Sequence, residues 1–140
     1  MADAYLGPVA GGYLGALGNA SRKAGLPEPL VMRSSGGVAS LAEAAAHPAL
    51  NLVSGPAGGV VGAERVAALA GVDDAIAFDM GGTSTDVCLV AGGRAERTDG
   101  RDVAGFSILA PMIDIHTVGA GGGSVVWLDA GGALRVGPRS

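Results

Sequence analysis

The chain has 140 residues, a formal net charge of −4 and 49% hydrophobic residues, and its 26 glycines are about a fifth of the total against roughly 7 per cent in ordinary proteins. No G-X-Y period makes this collagen, the apolar content argues against wholesale disorder, and scattered Lys and Arg without a basic stripe argue against a nucleic-acid partner. No apolar run is long enough for a membrane span and no basic leader precedes one; one Cys and two His leave no disulfide framework or structural zinc site and fit a cytoplasmic protein.

Apolar residues at Leu6, Val9, Ala10, Tyr13, Leu14 and Leu17 recur at helical spacing, which predicts a helix over about Pro8–Lys23, open to an earlier turn, with Gly25 as its C′ residue. Pro8 suits its first turn. Leu30-Val31-Met32 reads as a strand running into the tight loop Ser34-Ser35-Gly36-Gly37. Ser40-Leu41-Ala42-Glu43 is a capping box that opens a short helix ending before Pro48. Leu50–Val53 reads as a strand, Ser54–Gly59 as a glycine-rich turn, and Gly59–Ala70 as an Ala-rich helix closed by Gly71. Ala75–Met80 predicts a strand buried on both faces. After the loop Gly81–Thr85, Asp86–Val90 and Arg94–Thr98 form a hairpin about Gly92-Gly93. Ile108–Val118 holds an interrupted strand containing Pro111, and a glycine loop occupies Gly119–Ser124. Val125–Leu128 and Ala133–Val136 form a last hairpin through Gly131-Gly132. With aromatic residues at 4%, the core must be built from Val, Leu, Ile and Ala, a thin core that suggests a segment of a larger domain.

The strongest chemical signal is Phe78-Asp79-Met80-Gly81-Gly82-Thr83-Ser84-Thr85-Asp86. Glycines let backbone N–H groups approach a ligand without a Cβ in the way, and consecutive N–H groups form an anion-binding concavity. Thr83, Ser84 and Thr85 add hydroxyl donors. Two carboxylates beside a phosphate would repel it, so Asp79 and Asp86 imply a bridging Mg²⁺; the alternative is a tight hairpin in which they only cap backbone groups. Gly119-x-Gly121-x-x-Ser124 lacks the third glycine of a dinucleotide fingerprint and reads as a second nucleotide contact or as a sharp corner. Ser54–Gly59 reads as a helix N-terminus facing an anion or as a packing turn. In an extended stretch Asp114 and His116 share a face, as an acid/base or metal couple or as a local hydrogen bond. Arg33 reads as an anion holder or a solvated cation, His47 as a cation at a helix end, Cys88 as an inert core thiol, and Trp127 as packing.

The D-x-G-G-T-x-T-D string at Asp79–Asp86 resembles the phosphate loop of the acetate-kinase, sugar-kinase, heat-shock ATPase and actin superfamily. Three motifs in order resemble the hydantoinase A/5-oxoprolinase family: Leu52–Ala63, Phe78–Val87 and Asp114–Ser124. Ala4–Pro8, Met32–Gly37 and Asp129–Pro138 fit as well, so the resemblance covers the whole chain. It implies an α/β fold, an RNase H-like partial domain with a mixed sheet and helices. Residues 1–140 would be one fragment of a larger domain, with 1–72 ending a first half and 73–140 opening a second. It further implies ATP and Mg²⁺ as cofactors, with a cyclic amide or ketone as substrate and a hydantoinase B-type partner. The activity implied is phosphorylation of an amide oxygen before ring-opening hydrolysis. Alternatives are an ATP-using subunit of an acetone or acetophenone carboxylase, a sugar kinase, and a non-catalytic remnant that docks to a partner. The expected nucleotide contacts are Gly81, Gly82, Thr83, Ser84, Thr85, Gly119, Gly121, Gly122, Gly123 and Ser124, and the metal holders are Asp79 and Asp86. The candidate catalytic carboxylates are Asp79, Asp86 and Asp114, and which is the base stays open. Only the later of the family's two phosphate loops lies in the sequence, so catalysis by this stretch alone is not expected.

Overall fold

The structure, a computed structural model, describes residues 2–103 and 105–138. In chain order, helix α1 (Ala2–Lys23) leads to strands β1 (Val31–Met32) and β2 (Val38–Ala39), helix α2 (Leu41–Ala46), a 3-10 turn (Pro48–Asn51) and helix α3 (Ser54–Leu69). Strands β3 (Ala75–Met80), β4 (Thr85–Ala91), β5 (Arg94–Ala95), β6 (Arg97–Thr98) and β7 (Arg101–Val103) follow. The last are β8 (Phe106–Ile108), β9 (Met112–Ile113), β10 (His116–Val118), β11 (Val126–Leu128) and β12 (Leu134–Val136). This is the expected α/β class. The chain forms two compact units, residues 1–61 with 97–113 and residues 62–96 with 114–140. No helix among the described residues is long and apolar enough to cross a membrane.

In the first unit α1 includes the earlier turn and begins at Ala2, so that Pro8 lies inside the helix and not in its first turn. The physical reason is tertiary: the Asp3 carboxylate accepts from the Ala49 N–H at 2.8 Å, and Ala2 packs against Ile108, Ala110 and Met112. These contacts hold a turn that Pro8, lacking an N–H, cannot stabilise. Asp3 in the first turn and Arg22 and Lys23 in the last also complement the helix dipole. Gly25, at φ 68°, ends the helix as expected. The Leu26 N–H donates to the Ser21 carbonyl at 2.9 Å and the Gly25 N–H to the Arg22 carbonyl at 3.1 Å, the Schellman pattern.

Leu14 and Leu17 of α1 pack against Val31, Ala39, Leu41 and Ala44. The capping box forms: the Glu43 N–H donates to Ser40 Oγ at 3.2 Å and the Ser40 N–H to Glu43 Oε2 at 3.2 Å. Arg33 stands 3.8 Å from the same Glu43 carboxylate. His47 is the C-cap of α2, where the sequence placed it.

Two expectations fail in this unit. Leu50–Val53 is not a strand; Pro48–Asn51 is a 3-10 turn instead. Buried Ser34 causes this by claiming the groups a ladder would need. Its N–H donates to the Leu50 carbonyl at 2.7 Å, and its hydroxyl accepts from the Val53 N–H at 3.2 Å. Ser54–Gly59 is not a turn before a helix but the opening of α3 itself. Pro56 is tolerated there because first-turn N–H groups have no intrahelical acceptor.

The second unit is built on β4. Strands β3 and β10 flank it antiparallel, and β5 also pairs with it. The β4–β5 turn is Gly92-Gly93, both at positive φ (57° and 76°), as a two-residue hairpin turn requires. Asp74 Oδ1 accepts from the Gly92 N–H at 2.9 Å and fixes it. Strand β3 is not buried on both faces: Ile76, Phe78 and Met80 are 68%, 62% and 52% exposed. Along β4 the covered side is the one carrying Cys88 and Val90, apart from buried Thr85 at the start of the strand. Burial pushes the Cys88 thiol above its ordinary value of 9.0, and nearby Asp114, Glu96 and Glu64 add to that, in line with an inert core thiol. Glu64 of α3 accepts from the Ala95 N–H at 2.5 Å. The final hairpin, β11 with β12, turns through Gly131-Gly132 as predicted. Asp129 holds it, accepting from the Gly131 and Ala133 N–H groups at 3.0 and 2.9 Å and from Arg135 Nε at 2.8 Å. That Arg135 bond, with the backbone donors, lowers the Asp129 carboxyl from its usual 3.8.

Removing the cap of α2 tests this account of the first unit. Ser40→Ala should lower stability by about 1 kcal/mol in urea melts, and Ser40→Asp should recover most of it.

Candidate functional site: two glycine loops at one end of a sheet

The second unit brings the two glycine-rich motifs together. Val118, the last residue of β10, pairs with Thr85, the first of β4. The loops 81–84 and 119–124 therefore leave the same end of the sheet. They are joined by the Gly122 N–H donating to the Gly81 carbonyl at 2.9 Å and the Gly123 N–H to the Gly82 carbonyl at 2.8 Å. The buried Thr85 hydroxyl donates to the Ala120 carbonyl at 2.7 Å. Within the second loop, the Ser124 hydroxyl accepts from the Gly121 N–H at 2.8 Å, and its own N–H donates to the Gly121 carbonyl at 3.0 Å.

Glycine is required at this junction. A Cβ on Gly121 would stand 2.6 Å from the Gly81 oxygen and 2.8 Å from both Gly82 C and Ser84 N, all backbone atoms that cannot swing aside. Gly137, at φ 57°, is constrained in the same way, since a Cβ there would run into the Gly119 carbonyl oxygen, whereas a Cβ on Gly119 itself would meet nothing within 4 Å. In the first loop the Gly81 N–H donates to the Ser84 carbonyl at 2.9 Å. The N–H groups of Gly82, Thr83 and Ser84 have no acceptor among the described residues. A run of such donors suits an anion.

The carboxylates follow from strand register. Asp79 is directly opposite Asp86, and Asp86 is directly opposite Thr117. The three side chains therefore form one row across β3, β4 and β10 on one face. Opposed residues have Cβ atoms about 4.5–5.5 Å apart, and like charges so placed repel. The pair thus fits a divalent cation between or beside it. Thr117, which the sequence reading did not single out, donates its hydroxyl to Asp86 Oδ1 at 2.6 Å. Only the cross-strand register could have revealed it.

Of the sequence-predicted residues, Asp79, Asp86, Gly81–Thr85 and Gly119–Ser124 are brought to one end of the sheet. Asp114 is not. It precedes Thr117 by three positions, about 10 Å along an extended chain. Its N–H donates to the Glu96 carbonyl at 2.9 Å, and its Oδ2 stands 3.9 Å from His116 Nε2. No group of three or more metal-ligating side chains occurs among the described residues. Any cation here must take further ligands from the anion it accompanies and from water, as Mg²⁺ commonly does.

The hydantoinase/oxoprolinase family model matches residues 1–140. Caprolactamase subunit alpha of Pseudomonas jessenii is 38% identical over 141 residues, covering 100% of this chain and 20% of that protein. Arabidopsis thaliana 5-oxoprolinase 1 is 44% identical over 140 residues, covering 99% of this chain and 11% of its own length. The crystal structure of the ATP-dependent caprolactamase from Pseudomonas jessenii superposes with a TM-score of 0.80 at 37% identity, covering 96% of this chain and 20% of that one. A nucleotide-free acetone carboxylase structure, from work on ATP-dependent acetone carboxylation, gives 0.73 at 35% identity, covering 91% and 18%. The chain therefore spans a fifth or less of the length of these relatives.

Loop docking makes a direct prediction. Gly121→Ala should separate the loops and cost about 1–3 kcal/mol through overpacking. Amide hydrogen exchange should show lost protection at Gly122 and Gly123, while the β11–β12 hairpin keeps its own.

Proposed function

Because the chain belongs to the hydantoinase/oxoprolinase family, we propose that it supplies a phosphate-holding part of an ATP-dependent enzyme that opens a cyclic amide. The overall reaction is phosphorylation of the amide oxygen followed by hydrolysis of the C–N bond. One observation carries the reading: the free N–H groups of Gly82, Thr83 and Ser84 lie one turn from the facing carboxylates Asp79 and Asp86.

In this reading the first loop binds phosphate oxygens through those N–H groups and through the Thr83 and Ser84 hydroxyls. Such donors are fixed before the ligand arrives, so they need no reorganisation when charge develops. The second loop, residues 119–124, sets the shape of the first through the Gly122 and Gly123 bonds. The Thr85 hydroxyl serves this assembly by holding the Ala120 carbonyl. Asp79 and Asp86 hold Mg²⁺ or its waters. When bound, the cation supplies neutralisation of charge between carboxylates and phosphate. Asp114, set back along the chain, is a weaker candidate for the base than Asp79 or Asp86.

Residues 1–72 would end one half of a two-halved ATPase core and residues 73–140 would open the other, with the remaining nucleotide contacts and a hydantoinase B-type partner supplied from outside this stretch. The caprolactamase relative is a subunit alpha and an acetone carboxylase relative is a beta subunit, which supports a multi-subunit assembly. The acetone carboxylase match also favours a second reading, in which the same phosphate site serves ketone carboxylation.

In the whole protein, Asp79→Asn should lower ATP-dependent turnover by more than about 100-fold while keeping the fold, with a thermal melt at or above that of the wild type because the repulsion with Asp86 is relieved. Full ATPase activity in that variant would remove Asp79 from the site.

A further inference from the structure

We propose that Thr117 is a positioning residue, whose hydroxyl sets the plane of the Asp86 carboxylate for cation binding. The assignment rests on the reading of Asp79 and Asp86 as metal holders. A carboxylate rotates in a broad, roughly two-fold well about its last torsion, so an unrestrained Asp86 would present its oxygens in many directions. The Thr117 hydroxyl donates to Asp86 Oδ1 at 2.6 Å, the short distance of a charge-assisted bond. This occupies one lone pair of Oδ1 and leaves Oδ2 for a ligand. The arrangement matches the way ligating carboxylates are held by outer partners in metal sites.

A purely structural role fits the geometry less well. Strands β4 and β10 are already joined by three register pairs, so the hydroxyl is not needed to align them. The bond is exposed, and such bonds add little to folding. Thr85, on β4 and paired with Val118, shows the contrast: it is buried, and its hydroxyl serves the backbone of the second loop. Thr117 instead points its hydroxyl at the one carboxylate that directly opposes another, Asp79.

The test measures Mn²⁺ affinity by electron paramagnetic resonance in the presence of ATP, on the whole protein. The variants are Thr117→Val, Thr117→Ser and Asp86→Asn, with a thermal melt for each. Val keeps the β-branched shape a strand favours and lacks only the hydroxyl. Thr117→Val should weaken Mn²⁺ binding by about 10–100-fold at unchanged melting temperature, and Thr117→Ser should restore affinity to near wild type. Should Thr117→Val fail to fold, Thr117→Ala takes its place with the same expectation. Wild-type affinity in the hydroxyl-less variant overturns the proposal. So does equal weakening in the Val and Ser variants, which would assign the effect to packing. If Asp86→Asn binds Mn²⁺ like wild type, the underlying carboxylate reading fails and this assignment falls with it.

Discussion

The second unit depends on one close approach: loop 119–124 sits on the backbone of loop 81–84 with no room for a side chain at Gly121. The contact is backbone against backbone, and the Gly122 and Gly123 N–H groups donate to the Gly81 and Gly82 carbonyls. With the Gly81 and Gly82 oxygens turned toward the second loop, the Gly82 and Thr83 N–H groups are left without an acceptor among the described residues. One interaction thus both fixes the loop and sets its polarity. Thr85 reinforces it from beneath by holding Ala120, which explains why a hydroxyl residue is buried at the start of β4.

Register supplies the other half of the site. A strand alternates its faces with a period of two, so the pairing of Met80 with Thr85 obliges Asp79 to face Asp86. Facing carboxylates lower stability unless something offsets their repulsion. The fold retains the pair at the mouth of an N–H-lined loop and orients one member with Thr117. The proposed cation and phosphate would use all of these features together. The chain shares its fold with an acetone carboxylase and with an ATP-dependent caprolactamase.

Much of this was legible in the sequence because it is local. The capping box at Ser40, the C′ glycines Gly25 and Gly71, the Gly92-Gly93 turn and the β11–β12 hairpin each follow from a few adjacent residues. The Asp79–Asp86 string also forms the expected strand, loop and strand. What escaped was set by distant partners. Ser34 turns Leu50–Val53 away from a strand, and Asp3 with Ala49 carries α1 past Pro8. The glycines of Ser54–Gly59 read as a turn because their helix weakness is local, whereas α3 forms with Ala57 and Val60 buried. Ile76, Phe78 and Met80 read as core by composition, yet they are exposed. Thr117 was invisible because its role exists only across strands.

The central claim is that the Gly82–Ser84 N–H groups hold phosphate beside the Asp79–Asp86 pair. A crystal structure of the whole protein with Mg²⁺ and a non-hydrolysable ATP analogue tests it most directly. The account predicts phosphate oxygens about 2.7–3.2 Å from those N–H groups, with the cation on the Asp79 and Asp86 side. A nucleotide whose phosphates lie elsewhere, with this loop unliganded, would contradict it.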